Sequence, residues 1–148
     1  MLRIRKSAMT AIEAHMRETY PHECCGLIIG SAYGEVREGR RSAPCGNLNT
    51  ERAADRYELD PRDMLRIQQE LEGTSHDIVG VYHSHPDHPS RASETDREHA
   101  WPGWSYMIGS VVEGEVASVQ SWVLDASGER FEEEPVAVDP DGGESEED

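Results

Sequence analysis

Apolar residues along this chain follow two different periods, and each period marks a different kind of element. Ala8, Ile12 and Met16 recur every four residues, one face of a helix that ends near Tyr20-Pro21. Ser7 is its predicted N-cap, and residues 2–5 form a short strand before it. A second helix is expected from Pro61, a residue suited to the first helical position, with Met64, Leu65, Ile67 and Leu71 as its buried side and Gly73 as its stop. Gly26 to Gly30 is an unbroken apolar run between glycines, the pattern of a buried strand. Ile78, Val79 and Val81 mark another strand from Asp77 to His85, which breaks off at Pro86-Asp87-His88-Pro89. Strands over 106–112 and 116–124 are joined by Glu113-Gly114 as a hairpin turn. Weaker signals predict a polar edge strand or hairpin arm over 35–41, a short helix from Ser90 or Ser93 to Ala100, and a last strand over 131–138 interrupted by Pro135. Residues 45–54 show no regular period. This mixture of strands and helices predicts an α/β or α+β sandwich.

Composition narrows the functional classes. The 148 residues suit one hydrophobic core. Thirty acidic against fourteen basic side chains give a net charge of −16, which disfavours nucleic acid and anionic membrane surfaces as partners. No apolar run reaches the roughly 18 residues of a membrane-spanning helix, and the basic opening Met1 to Lys6 lacks the apolar stretch of a secretion signal. Nine of the acids lie from Glu132 onward, where there is no Lys or Arg, which leaves −7 for residues 1–131. We therefore expect one domain over 1–131 and an acidic C-terminal stretch over 132–148 that is disordered from about residue 139. Cys24, Cys25 and Cys45 are an odd number without a C-x-x-C pair, so the expectation is buried free thiols in a reducing, cytoplasmic setting.

The densest set of metal-competent residues is V-Y-H-S-H-P-D-H-P-S-R-A-S-E-T-D, residues 81–96. Residues i and i+2 of a strand share a face, so His83 and His85 reach one ion together, and Ser84 points away from it. Asp96, eleven residues past His85, supplies a carboxylate from the first turn of the next helix. Two His and one Asp leave a fourth position for water, the pattern of a catalytic zinc site, although iron and manganese accept the same donors. Zinc would bring the pKa of such a water to roughly 7. Glu23, just before the buried strand, is the candidate general base, and Ser93, three residues before Asp96, the candidate oxyanion donor. Ser93 also reads as a helix N-cap. His88 reads as a loop residue at the rim; His15, His22, His76 and His99 read as surface histidines. Trp101 and Trp104 read as core or rim.

Glu23 followed by His83-Ser84-His85, seven residues, Ser93, two residues and Asp96 resembles the signature of the JAMM, or MPN+, zinc metallopeptidases. The flanking C-G-L-I after the Glu and the Pro after the second His agree with it, and the similarity extends over about residues 2–125. The resemblance implies a central, mostly antiparallel sheet flanked by helices. It also implies hydrolysis of peptide or isopeptide bonds after the C-terminal Gly-Gly of ubiquitin-like or sulfur-carrier proteins. The chain is similar to the compact stand-alone prokaryotic members, since its length leaves no room for large substrate-clamping insertions. Two other readings stay open at this level: a non-catalytic, zinc-containing module that binds such tails, and a zinc hydrolase of a small amide.

Thirteen Arg against one Lys, Lys6, together with the acidic excess, predicts adaptation to high salt, where ions screen self-repulsion. The melting temperature should rise as KCl is taken to molar concentration, and a flat or falling series would refute the adaptation.

Overall fold

The computed structural model describes residues 1–49, 57–93, 96–97 and 100–141. Its elements are β1 (Leu2–Arg5), α1 (Lys6–Thr19), β2 (Cys25–Tyr33), β3 (Val36–Cys45), α2 (Pro61–Leu71), β4 (Asp77–Pro86), β5 (Ser105–Val112), β6 (Glu115–Leu124), β7 (Phe131–Glu134) and β8 (Val136–Asp139). The strands form one eight-stranded sheet in the order β7-β6-β5-β4-β2-β3-β1-β8. Four of the seven pairings are antiparallel; β1–β3, β1–β8 and β4–β5 are parallel. The architecture is therefore α+β with a mixed sheet.

Two apolar clusters sit on the two faces of the sheet. Ala8, Ile12 and Met16 of α1 pack with Leu2, Ile4, Ile28, Val79, Tyr82 and Met107. Ile67 and Leu71 of α2 pack with Cys25, Leu27, Ile29, Ile78, Val81 and Tyr106. Leu65, expected on the buried side of α2, is 55% exposed, because the helix touches the sheet through Ile67 and Leu71 and turns Leu65 outward. No helix among the described residues is long and apolar enough to cross a membrane.

A bulge in β4 decides which side chains reach which cluster. Ile28 pairs with Gly80 and Ile29 with Ile78, so Val79 is an extra residue on β4. Ile78 and Val81 thus face the α2 side although three residues apart, and alternation carries His83 and His85 to that same face. Gly80 is required at the bulge, because a Cβ there would lie 2.5 Å from the Ser105 carbonyl oxygen of β5.

Several terminal elements differ from expectation. Ser7 does not cap α1; Arg5 holds the cap position without a side-chain bond, and Ser7 lies within the first turn. Its N–H and its hydroxyl both donate to Asp141 Oδ1, at 3.2 and 2.8 Å, so a carboxylate from the C-terminal segment serves the helix N-terminus. The polar strand over 35–41 is a hairpin arm but not an edge, since β1 and β8 lie outside it. The expected helix up to Ala100 falls largely outside the described residues; Asp96 and Arg97 are helical.

The single strand expected over 131–138 is two strands on opposite edges of the sheet, separated only by Pro135. Glu134 and Val136 are next-but-one neighbours, at most about 7 Å apart, so the sheet must curl until its edges meet. Glu134 is buried at that seam: it accepts from Ser121 Oγ of β6 at 2.6 Å and pairs with Arg37 of β3 at 3.3 Å. The acidic stretch therefore belongs to the sheet as far as Asp139, which closes β8 and pairs with Arg3 at 2.9 Å. Residues 142–148 of the expected tail lie outside the described residues.

Gly80→Ala should lower stability by about 1–3 kcal/mol in urea denaturation, since the added methyl meets backbone. Gly46→Ala, whose Cβ would meet nothing closer than 3.5 Å, should change it by no more than about 0.5 kcal/mol.

Candidate metal centre and cleft

His83 and His85 stand at the C-terminal end of β4, on the α2 face, and Asp96 reaches them from its helical turn. His83 Nε2 lies 3.2 Å from Asp96 Oδ1, His85 Nε2 3.4 Å from Asp96 Oδ2, and the two Nε2 atoms are 3.2 Å apart. Donors on a tetrahedron with bonds of about 2.0–2.1 Å are separated by about 3.3 Å, so these spacings fit one zinc-sized ion. The hydrogen bonding agrees. His85 Nδ1 donates to the Pro89 carbonyl at 2.8 Å, which leaves the Nε2 lone pair for a cation. His83 is fully buried, burial holds its pKa below the ordinary value, and its ring stacks on Tyr57 with centroids 4.3 Å apart. Burial alone would raise the Asp96 carboxyl, but its contacts with both histidines and the Ser93 amide outweigh it and hold the group well below the usual range. Burial opposes the charged form of His85, but Asp96 and the Pro89 carbonyl outweigh it and hold its pKa above the ordinary value, so a divalent ion bound here would displace that proton.

Glu23 is 3% exposed and lines the same cleft as His85, Ser93 and Asp96. Its position is set by backbone. Ser84, between the two histidines and on the opposite face, accepts from the Cys24 amide at 3.0 Å, while the Ser84 amide donates to the Cys24 carbonyl at 3.3 Å. The histidine strand and the residue after Glu23 are thus clipped together in the buried interior. From the other side, Asn47 Nδ2 donates to the Glu23 carbonyl at 3.1 Å, and Asn47 Oδ1 accepts from the Glu58 amide at 2.8 Å.

Ser93 and Asp96 form a reciprocal cap: Asp96 N donates to Ser93 Oγ at 3.0 Å and Ser93 N to Asp96 Oδ2 at 2.8 Å. The Ser93 hydroxyl is an acceptor in this cap, so its own proton remains available to a ligand in the cleft. The cleft has a volume of about 800 Å³ and is lined on its apolar part by Leu59, Met64, Val81, Trp101, Trp104 and Tyr106. Trp101 is 64% exposed at the rim and Trp104 is half-buried.

The remaining candidates stand apart from the converging donors. His88 lines the cleft but is not among the converging donors. His15, expected on the surface, is half-buried, its Nδ1 2.7 Å from Tyr82 Oη; His99 lies outside the described residues. The three cysteines are free and buried, and burial pushes the Cys24 and Cys45 thiols up to about 11. Tyr57 and Asn47 are site residues that the sequence did not disclose, because both lie in a segment without a period or motif.

The chain is similar to known proteins in family, in sequence and in fold. The family model of prokaryotic homologs of the JAB domain matches residues 5–125. The desampylase of Haloferax volcanii is 36% identical over 144 residues, covering 93% of this chain and 96% of the relative. The CysO-cysteine peptidase of Mycobacterium tuberculosis is 30% identical over 140 residues, covering 93% of this chain and 91% of that protein. The solution structure of a protein from Desulfitobacterium hafniense superimposes with a TM-score of 0.81 at 29% identity, over 95% of this chain and 94% of that one.

Ser84→Ala would strand the buried Cys24 amide, and should cost about 1–3 kcal/mol in urea denaturation. A loss within measurement error would show that the clip contributes nothing.

Proposed function

The chain belongs to the family of prokaryotic JAB-domain proteins, and on that premise we propose that it is a zinc metallopeptidase acting after the C-terminal Gly-Gly of a small ubiquitin-like or sulfur-carrier protein. The observation that carries this reading is the convergence of two imidazole nitrogens and one carboxylate, within 4.8 Å of one another, in a cleft that also holds a buried glutamate. The relatives named desampylase and CysO-cysteine peptidase support the substrate class. Three buried thiols and an acidic surface accord with a cytoplasmic setting.

His83, His85 and Asp96 would hold the ion, which supplies a Lewis acid and brings the pKa of water to about 7. The protein's own groups do the rest. A Gly-Gly tail carries no side chains, so its backbone can approach the reacting groups closely, and the apolar wall of Leu59, Met64 and Trp104 takes the residues before it. Glu23 accepts the proton of the attacking water at its carboxylate and returns it to the nitrogen of the leaving amine. Ser93 donates its hydroxyl proton to the oxygen of the tetrahedral intermediate, against which charge accumulates. Burial of His83 and Glu23 keeps bulk water from competing with these bonds.

Glu23→Gln should retain about one zinc per chain by elemental analysis and lose about 10²–10⁴ in kcat, read by mass spectrometry of carriers with C-terminal adducts. Asp96→Asn should lose the metal itself. A chelator should abolish turnover and Zn²⁺ restore it; a chelator-insensitive reaction, or binding of the tail without any turnover, would refute the peptidase.

A further inference from the structure

Between the candidate metal ligands, hydrogen bonds hold Asp87, His88, Pro89, Ser90 and Ser93. Asp87 accepts from Tyr20 Oη at 2.8 Å and from the Glu113 amide at 3.3 Å. The His88 carbonyl accepts from Ser110 Oγ, the Pro89 carbonyl from His85, and the Ser90 carbonyl from Trp122 Nε1 at 3.1 Å. Ser90 Oγ is itself buried against Gln120 at 2.7 Å, and Ser93 caps Asp96. Arg91 lies in the middle of this fixed stretch and lines the cleft. Two residues before it the backbone touches one ligand, His85; two residues after it the side chain and backbone touch another, Asp96.

Arg91 forms no hydrogen bond or ion pair with the described residues, although Glu23, Glu58 and Asp96 line the same cleft. Arg91 is exposed on the cleft wall and has no anionic partner among the described residues, which points to a ligand anion. His88, three residues earlier, lines the cleft too and lies outside the converging donors. Guanidinium is suited to carboxylate, which it grips with two parallel hydrogen bonds. Chemistry then selects the anion. When a single amino acid follows the scissile bond, its free α-carboxylate is two covalent bonds from the scissile nitrogen, about 3 Å away. When a lysine side chain follows it, that place holds only methylene groups.

We propose that Arg91, with His88 beside it, is a subsite for the α-carboxylate of the leaving group, so that the preferred substrate is a Gly-Gly tail extended by one amino acid. The inference rests on the peptidase reading above and specifies its substrate. Arg91 acts here as a specificity residue, outside the proton-transfer machinery.

The test uses the zinc-loaded protein and three synthetic tail peptides: Gly-Gly-Ala with a free carboxylate, the same peptide amidated, and Gly-Gly joined to a lysine side chain. The wild type should favour the free acid over both others by about tenfold or more in kcat/KM, chiefly through KM. Arg91→Gln should lose that factor on the acid and leave the amide unchanged, and Arg91→Lys should recover part of it. Calorimetry on the Glu23→Gln variant gives a readout apart from turnover: the acid should bind about tenfold more tightly than the amide, a difference that disappears when Arg91→Gln is added. Equal hydrolysis of acid and amide by the wild type, equal loss on both in Arg91→Gln, or preference for the lysine-linked peptide would overturn the subsite and leave the peptidase standing. Failure to cleave any of the three would overturn both.

Discussion

Between Ile28 and Ile29 the pairing of β4 slips by one residue, and everything chemical in the molecule depends on that slip. In an uninterrupted strand Ile78 would share its face with residues 80, 82 and 84, and the two histidines would be directed into the apolar cluster under α1. The extra Val79 moves Val81, His83 and His85 to the α2 face instead, where the strand end opens on a cleft. The same slip sends Ser84 into the interior, and Ser84 is the hydroxyl that locks the Glu23–Cys24 junction to the histidine strand. One inserted residue thus places two candidate ligands and aligns the candidate base.

The site is rigid for a reason that follows from its burial. Glu23, His83, Ser84 and Asp96 are buried, so their polar atoms must be held by the protein or be costly. Backbone groups hold most of them: the Pro89 carbonyl holds His85, the Ser93 amide holds Asp96, and the Cys24 amide holds Ser84. His83 is the exception, with Nδ1 buried and without a partner in the structure and its ring fixed by stacking on Tyr57. Preorganisation of this kind fixes the described groups of the site before a tail enters.

Much of this was legible in the sequence because spacing is a geometric constraint. His-x-His on a strand and Ser-x-x-Asp at a helix start each allow few arrangements, so His83, His85, Ser93 and Asp96 could be grouped before any coordinates. The apolar periods likewise located α1, α2 and the central strands. What stayed hidden depends on tertiary context. Val79-Gly80 reads as part of a continuous apolar strand, because a bulge shows itself only against a partner strand. Pro135 reads as an interruption in one strand, yet it divides two strands on opposite edges of the sheet. Ser7 has the composition of a cap, but its N–H finds a carboxylate 134 residues away. Tyr57 and Asn47 carry no periodic or motif signal, so only their contacts identify them.

The seam at Pro135 also bears on how the chain reaches this fold. β1 pairs with β8, residue 2 against residue 136, and Glu134 joins β6 to β3 across the closure. During synthesis the first strand leaves the ribosome with neither of its neighbours, β3 and β8, yet made, and the second of them follows only after all the other strands. Such distant pairings raise the contact order and slow folding. The closed sheet is therefore an all-or-none object: until its last strand docks, β1 presents an unpaired edge, which is the surface most prone to pair with another chain.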